Sequence, residues 1–176
     1  GSTHFLQSST VFMRASTNLT VIVVARGAPQ PNRILVAEGH GVNTNAIYAP
    51  IQSTTTGALN QQSCLIRRDD FTTVINTSGQ VVWDDTARFH GIKINQTAQT
   101  ITFFRDLTDS AAVPFTNTLG TINVNLFSIG CLLRSGPTNH WAGELGALWI
   151  YNTIVSAGDM EDIRAYYQAR NYVAAL

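Results

Sequence analysis

Four residues within one short stretch carry the chemistry of a sugar-binding site. Arg134, Asn139, His140 and Trp141 fall within eight residues of one another, beside the turn formers Gly136 and Pro137. An indole face can stack on the C–H face of a pyranose. Arg offers a planar fork of donors, and Asn offers both a donor and an acceptor, which suits sugar hydroxyls. Trp83-Asp84-Asp85 supplies a second aromatic with acceptors beside it. Both tryptophans also have a plainer reading: Trp141 and Trp83 each fit a core position at the end of a strand. Trp149 lies inside an apolar run and reads as core.

The residues for other chemistries are not arranged to perform them. Cleavage of a glycoside by paired carboxylates needs two acids across one bond. Asp69-Asp70 and Asp84-Asp85 are adjacent in sequence, so on a strand their side chains point to opposite faces. They read as acids that end strands. His4, His40, His90 and His140 show no HxH or HxxxH spacing. A Gly-x-Ser-x-Gly elbow is absent. The expectation is a chain that is not an enzyme, with no catalytic residues and no cofactor. Asn18-Leu19-Thr20, Asn76-Thr77-Ser78 and Asn95-Gln96-Thr97 are glycosylation sequons, but a chain this rich in Asn and Thr produces them by chance.

Length and composition narrow the class. A chain of 176 residues fits one domain, 1–176. It buries roughly two thirds of its unfolded surface without needing staples. Charged residues make up only 12% and the formal net charge is zero, which argues against nucleic acid or a polybasic membrane contact as partner. Lys93 is the only lysine, and Thr, Asn, Ser and Gln must cover the surface. That bias is common in extracellular and virion β proteins. No apolar run reaches the length of a membrane span. Gly1-Ser2 reads as an engineered remnant ahead of the natural start, so export remains open. Cys64 and Cys131 both sit in apolar strand patterns. They fit two buried thiols or one disulfide between neighbouring strands, and no CxxC supports a metal or redox role.

The pattern of elements is that of a β protein. Val11–Arg14, Leu19–Arg26, Ile34–Ala37, Ala46–Gln52, Ser63–Arg68, Phe71–Asn76, Val81–Trp83, Arg88–Asn95 and Thr100–Asp106 read as strands. Leu126–Leu133, interrupted at Gly130, and Leu145–Tyr151 follow. Within Leu19–Arg26, Val21 to Val24 is continuous rather than alternating, which suits burial on both faces. Thr77-Ser78-Gly79-Gln80 and Gln96-Thr97-Ala98-Gln99 read as hairpin turns, and Ser53–Asn60 as an exposed loop. Ser156-Ala157-Gly158-Asp159 fits a capping box, with Val155 and Met160 placed for a hydrophobic staple. Met160, Ile163 and Tyr167 then recur at helical spacing. With no βαβ alternation, the fold class is all-β: an antiparallel sandwich or jelly roll with one short C-terminal α-helix.

The C-terminal order carries a resemblance. Ser128-Ile129-Gly130, Trp141-Ala142-Gly143-Glu144-Leu145, Leu148-Trp149-Ile150-Tyr151-Asn152 and Ser156-Ala157-Gly158-Asp159-Met160 resemble the closing motifs of laminin-G-like domains of the concanavalin A-like lectin/glucanase superfamily. Upstream, Asn18–Ala25, Ile34–Gly39, Phe89–Ile94 and Thr100–Phe104 resemble its earlier strands. The resemblance implies a non-catalytic carbohydrate-binding or adhesion module within a larger secreted, phage-tail or virion protein. Its partner would be a glycan or cell-surface polysaccharide. The alternative is a structural or protein-interaction domain of a virion or extracellular assembly. The superfamily's hydrolases carry alternating acids on one strand, where this chain has Glu144 alone. Its lyases use an Arg-rich strand with His, echoed here only by Arg67-Arg68 and His90. Family members that hold structural calcium use an acid where this chain has Gly146 followed by Ala147. Calcium needs six to eight oxygens, usually with several carboxylates, so a structural calcium built from Asp84, Asp85 or Asp70 is possible but not favoured.

Overall fold

The computed structural model describes residues 5–27, 32–42, 45–54, 61–116 and 120–171. The expectations for Gly1-Ser2, His4 and residues 55–60 lie outside them. In chain order the elements are β1 (Leu6–Ser8), β2 (Asn18–Gly27), β3 (Ile34–Gly39), β4 (Ile47–Thr54), β5 (Gln61–Arg67), β6 (Thr73–Val82) and β7 (Arg88–Asn95). Then come β8 (Thr100–Arg105), β9 (Thr108–Asp109), β10 (Val113–Pro114), β11 (Leu126–Ile129), β12 (Leu132–Leu133), β13 (Pro137–Thr138), β14 (Gly143–Tyr151) and α1 (Ala157–Asn171). Two antiparallel sheets form the sandwich. The first runs β1-β11-β3-β4-β5-β6, and the second runs β10-β8-β7-β2-β14 with β9 on β8.

Strand β2 shows why its sequence is apolar throughout. Leu19, Val21 and Val23 face the space between the sheets, where they meet Val36, Tyr48, Ile51 and Ile66 of the first sheet. Ile22 and Val24 face the other way, into a second cluster with Phe89, Phe104, Val155 and Met160 beneath α1. The outer face of the first sheet carries a third cluster, in which Leu132 covers Ile34, Ala37, Ile47 and Ala49. Gly91 of β7 has no room for a side chain: a Cβ there would lie 2.4 Å from the Val21 carbonyl oxygen.

The helix cap forms much as its residues suggest. Ser156 Oγ accepts from the Asp159 amide at 3.2 Å. The Asp159 carboxylate accepts from the Ser156 hydroxyl at 2.7 Å instead of reaching back to the backbone. Val155 and Met160 are buried together, as a staple requires. Trp149, expected in the core, is half-buried on the outer face of the second sheet. It lies 6.3 Å from the Phe89 ring and 5.9 Å from Tyr167 of α1.

Several expectations fail locally. Ser53 and Thr54, read as the start of an exposed loop, end β4 and pair with β5, and Ser53 is buried. Val11–Arg14 is not a strand; its amides turn inward to a buried carboxylate. Phe12 and Met13 donate to Glu38 Oε1 at 2.6 and 2.8 Å, and Arg14 to Oε2 at 3.0 Å. Thr77–Gln80 is not a hairpin turn, because β6 runs through it and pairs with β5. Gln61 faces Val82 while Ser63 faces Ser78, so the surplus residues are absorbed as a bulge. Phe71, expected to begin a strand, sits in a turn with φ 71°. By contrast, the Gln96–Gln99 turn does join β7 to β8, and Gly130 at φ 85° separates β11 from β12. Cys64 and Cys131 are free and buried.

Candidate functional site

The two tryptophans proposed as sugar platforms meet each other. Their rings lie 4.6 Å apart, edge to face. Trp83 is only 2% exposed, stands 3.9 Å from the His90 ring, and donates its indole N–H to Gln52 O at 3.4 Å. It is a core residue and presents no face to a ligand, which corrects the stacking role read for it. Inner positions near the sandwich end are close enough to the opposite sheet for an indole to bridge the two. Trp141 is half-buried against the same core. Its indole N–H donates to Arg26 O at 3.3 Å, and a Cβ on Gly27 would fall 2.4 Å from its ring. The remainder of the ring lines an apolar cavity of about 360 Å³ with Leu6, Leu35, Ile129 and Leu145.

The other candidates disperse. Asn139 adopts φ 54° and donates its amide to Asn32 O at 2.8 Å. His140 is half-buried, 6.1 Å from Phe5. Asp84 accepts from Arg88 Nε at 2.9 Å and from the Thr86 amide at 3.1 Å. Burial works to raise the Asp84 carboxyl, but the bonds from Arg88 and Thr86 outweigh it and hold it below the ordinary range. Asp84 thus braces Arg88, which also reaches Asp106 at 2.9 Å. Asp85 is exposed and adds a weak attraction for Arg26. No group of three metal-ligating side chains gathers among the described residues.

Arg134 adds its like charge to the field felt by Arg67. Arg67 closes β5 on the outer face of the first sheet, paired with Ile47 of β4. Burial, and then the like charge of Arg134, hold its guanidinium below the ordinary value. Its Nε donates to Asn45 O at 2.6 Å, and the guanidinium lies 4.1 Å over the Phe71 ring. Phe71 is 61% exposed, so the ring face away from Arg67 is open to solvent.

The loop that presents Phe71 is tied at several points. Arg68 N–H donates to Thr72 O at 2.9 Å and Phe71 N–H to Arg68 O at 3.1 Å. Asp70 Oδ1 accepts from the Thr72 amide at 2.9 Å. Asn45 donates its side-chain amide to Asp69 O at 3.0 Å. Asp69 in turn accepts from the Asn123 backbone at 2.8 Å and from the Asn123 side chain. A guanidinium lying on a fixed, exposed aromatic can hold a carboxylate and a sugar ring together. Sequence reasoning passed over this site because Phe71 looked like the start of a strand. The available signal was an aromatic within the polar run Arg67-Arg68-Asp69-Asp70-Phe71-Thr72.

No family model and no curated protein matches this chain. Solved structures do match. The CBM40 of the Ruminococcus gnavus IT-sialidase, bound to α2,3-sialyllactose, superposes with a TM-score of 0.69 at 13% identity, over 84% of this chain and 82% of that one. The NanB sialidase of Streptococcus pneumoniae matches at 0.71 and 13% identity over 92% of this chain, which corresponds to 26% of that protein. A SAP-like pentraxin from Limulus polyphemus matches at 0.60 and 10% identity, over 84% of this chain and 70% of that one. At such identities the likeness is one of fold, and the fold is the concanavalin A-like β-sandwich jelly roll.

Proposed function

We propose that this chain is a non-catalytic carbohydrate-binding module that takes acidic glycans on the face formed by Arg67, Arg134 and Phe71. The observation that carries this reading is the Arg67 guanidinium lying 4.1 Å over an exposed Phe71 on a braced loop, with the like charge of Arg134 acting on it. A sugar carboxylate beside Arg67 would form charge-assisted hydrogen bonds, about twice as strong as neutral ones, and the charge of Arg134 would add to its attraction. Phe71 would meet the C–H face of the same sugar. Support also comes from the fold, which matches most of a CBM40 whose structure holds a sialylated ligand.

Within the same proposal, residues 1–176 form one laminin-G-like domain of a larger secreted, phage-tail or virion protein. It acts outside the cell, and other subunits of that assembly are further partners. The Lys-poor composition and the match to about a quarter of a much longer sialidase favour that context.

Titration calorimetry against sialylated, uronate-bearing and neutral oligosaccharides tests the reading. The expected result is binding of acidic glycans that weakens with added salt. Arg67→Ala, Arg134→Ala and Phe71→Ala should each reduce affinity by about tenfold or more, equivalent to about 1.4 kcal/mol, without lowering the melting temperature enough to signal unfolding. A protein blind to the whole panel would return the question to the structural or protein-interaction alternative.

A further inference from the structure

Phe71 is placed at odds with its residue type. Its ring is 61% exposed, and its backbone has φ 71°, a left-handed conformation that bulky residues rarely adopt. The Cβ makes that conformation costly, and Gly or Asn would meet it more easily. An exposed ring gains little from burial in return. Strain of this kind persists where the surroundings fix it, and it gathers at ligand-binding positions. The contacts that fix Phe71 are therefore the place to look for further parts of the site.

Some of those contacts lie within the turn. Phe71 N–H donates to Arg68 O, Arg68 N–H to Thr72 O, and Thr72 N–H to Asp70 Oδ1. They shape the turn but do not set where it sits on the sandwich. Asp69 and Asn45 do that. Asp69 N–H donates to Thr121 O at 3.4 Å, and its carboxylate accepts from the Asn123 backbone at 2.8 Å and from the Asn123 side chain. Asn45 reaches both halves of the face. Its side-chain amide donates to Asp69 O at 3.0 Å, and its carbonyl oxygen accepts from Arg67 Nε at 2.6 Å. One residue thus fixes the guanidinium and, through Asp69, the loop whose ring lies 4.1 Å beneath it. A loop already held in its bound geometry loses less freedom on binding, so its ligand is held more tightly.

We infer that Asn45 and Asp69 are positioning residues of the acidic-glycan face, holding the strained Phe71 ring against Arg67. This role rests on the reading of that face as a glycan site. Neither residue touches the sugar; both act through Phe71 and Arg67.

The tests use the whole chain and the methyl glycoside of N-acetylneuraminic acid. In the unliganded protein, 15N relaxation should show the Phe71 amide ordered in the parent and mobile in Asp69→Ala. Affinity read by amide chemical-shift titration should fall about tenfold in Asp69→Ala and several-fold in Asn45→Ala. Asp69→Asn should recover most of that loss, because its Oδ1 can still accept from the Asn123 backbone. Phe71→Asn should bind more weakly, yet unfold in urea no earlier than the parent, since Asn tolerates the left-handed backbone. In the Phe71→Asn background, adding Asp69→Ala should cost little further affinity, because effects that pass through one residue are not additive. A merely structural Asp69 would lower the affinity again. Asn45→Ala, which keeps its carbonyl for Arg67, carries the same tests should Asp69→Ala not fold. Wild-type affinity in Asp69→Ala and Asn45→Ala, additive losses in the double variant, or a clearly less stable Phe71→Asn would each overturn the positioning role. A parent blind to the glycoside would instead remove the glycan face and the positioning role with it, so the two failures are told apart.

Discussion

Trp83 and Trp141 show how one residue type takes two roles at a single contact. Trp83 is enclosed by both sheets, whereas Trp141 closes the core from the edge and keeps part of its ring at the surface cavity. Deleting a fully buried aromatic costs its transfer energy plus that of the void it leaves. Trp83→Ala should therefore lose about 3–5 kcal/mol of stability. Trp141→Ala should lose clearly less, since part of its ring is already solvated. Urea unfolding of the two variants checks the order, and equal losses would contradict the burial difference. Loss of glycan binding in a well-folded Trp141→Ala would move the acidic-glycan site back towards Trp141.

Among the elements, α1 is the clearest case of local sequence serving tertiary packing. Its buried side covers Ile22 and Val24 of β2 through Met160, with Ile163 and Tyr167 packed alongside. Ser156 sets where the helix begins, and Asp159 places a negative charge in its first turn, where the helix dipole favours it. Ser156→Ala should cost about 1 kcal/mol, read as a lower melting temperature with the β-sheet circular dichroism unchanged. Ser156→Gly should cost only a few tenths of that. If Ser156→Ala melted like the parent protein, packing rather than the cap would be setting the helix start.

Across the whole molecule, acid stability depends on a histidine locked between the sheets. His90 is fully buried. Burial first, and then Arg105, push its pKa down from 6.5 to about 3; Arg88 adds to this and Asp84 opposes it. The folded state therefore keeps the imidazole neutral at a pH where the unfolded chain has already protonated it. Above about pH 6.5 both states are neutral and the group contributes no pH dependence. As pH falls from about 6.5 towards 3, the unfolded state binds the extra proton and stability declines by up to roughly 1.4 kcal/mol per pH unit. Unfolding free energies measured across that window should show this slope. His90→Phe should remove one proton's share of it, leaving the part that belongs to carboxylates such as Asp84. A slope unchanged in that variant would mean His90 does not carry the effect.

Elements governed by local physics are legible in the chain alone. The continuous apolar run of Val21 to Val24 announces a strand buried on both faces, because no solvated face would tolerate it. The Arg88–Asn95 strand, the turn after it and the Ser156 cap could be read for the same reason: a few neighbouring residues fix each one. Features that depend on which distant surface comes close emerge only when the sheets pack. Thr77–Gln80 has turn chemistry, yet pairing with β5 outweighs it, since unpaired backbone groups beside a sheet are costly. Val11–Arg14 has a strand's composition, yet three of its amides are worth more on the Glu38 carboxylate. Neither fate of the tryptophans could be told from spacing, because an indole at a strand end faces either solvent or the opposite sheet. Arg67 and Arg134 stand far apart in the chain, and the packing of Leu132 on the outer face of the first sheet brings the charge of Arg134 into the field of Arg67.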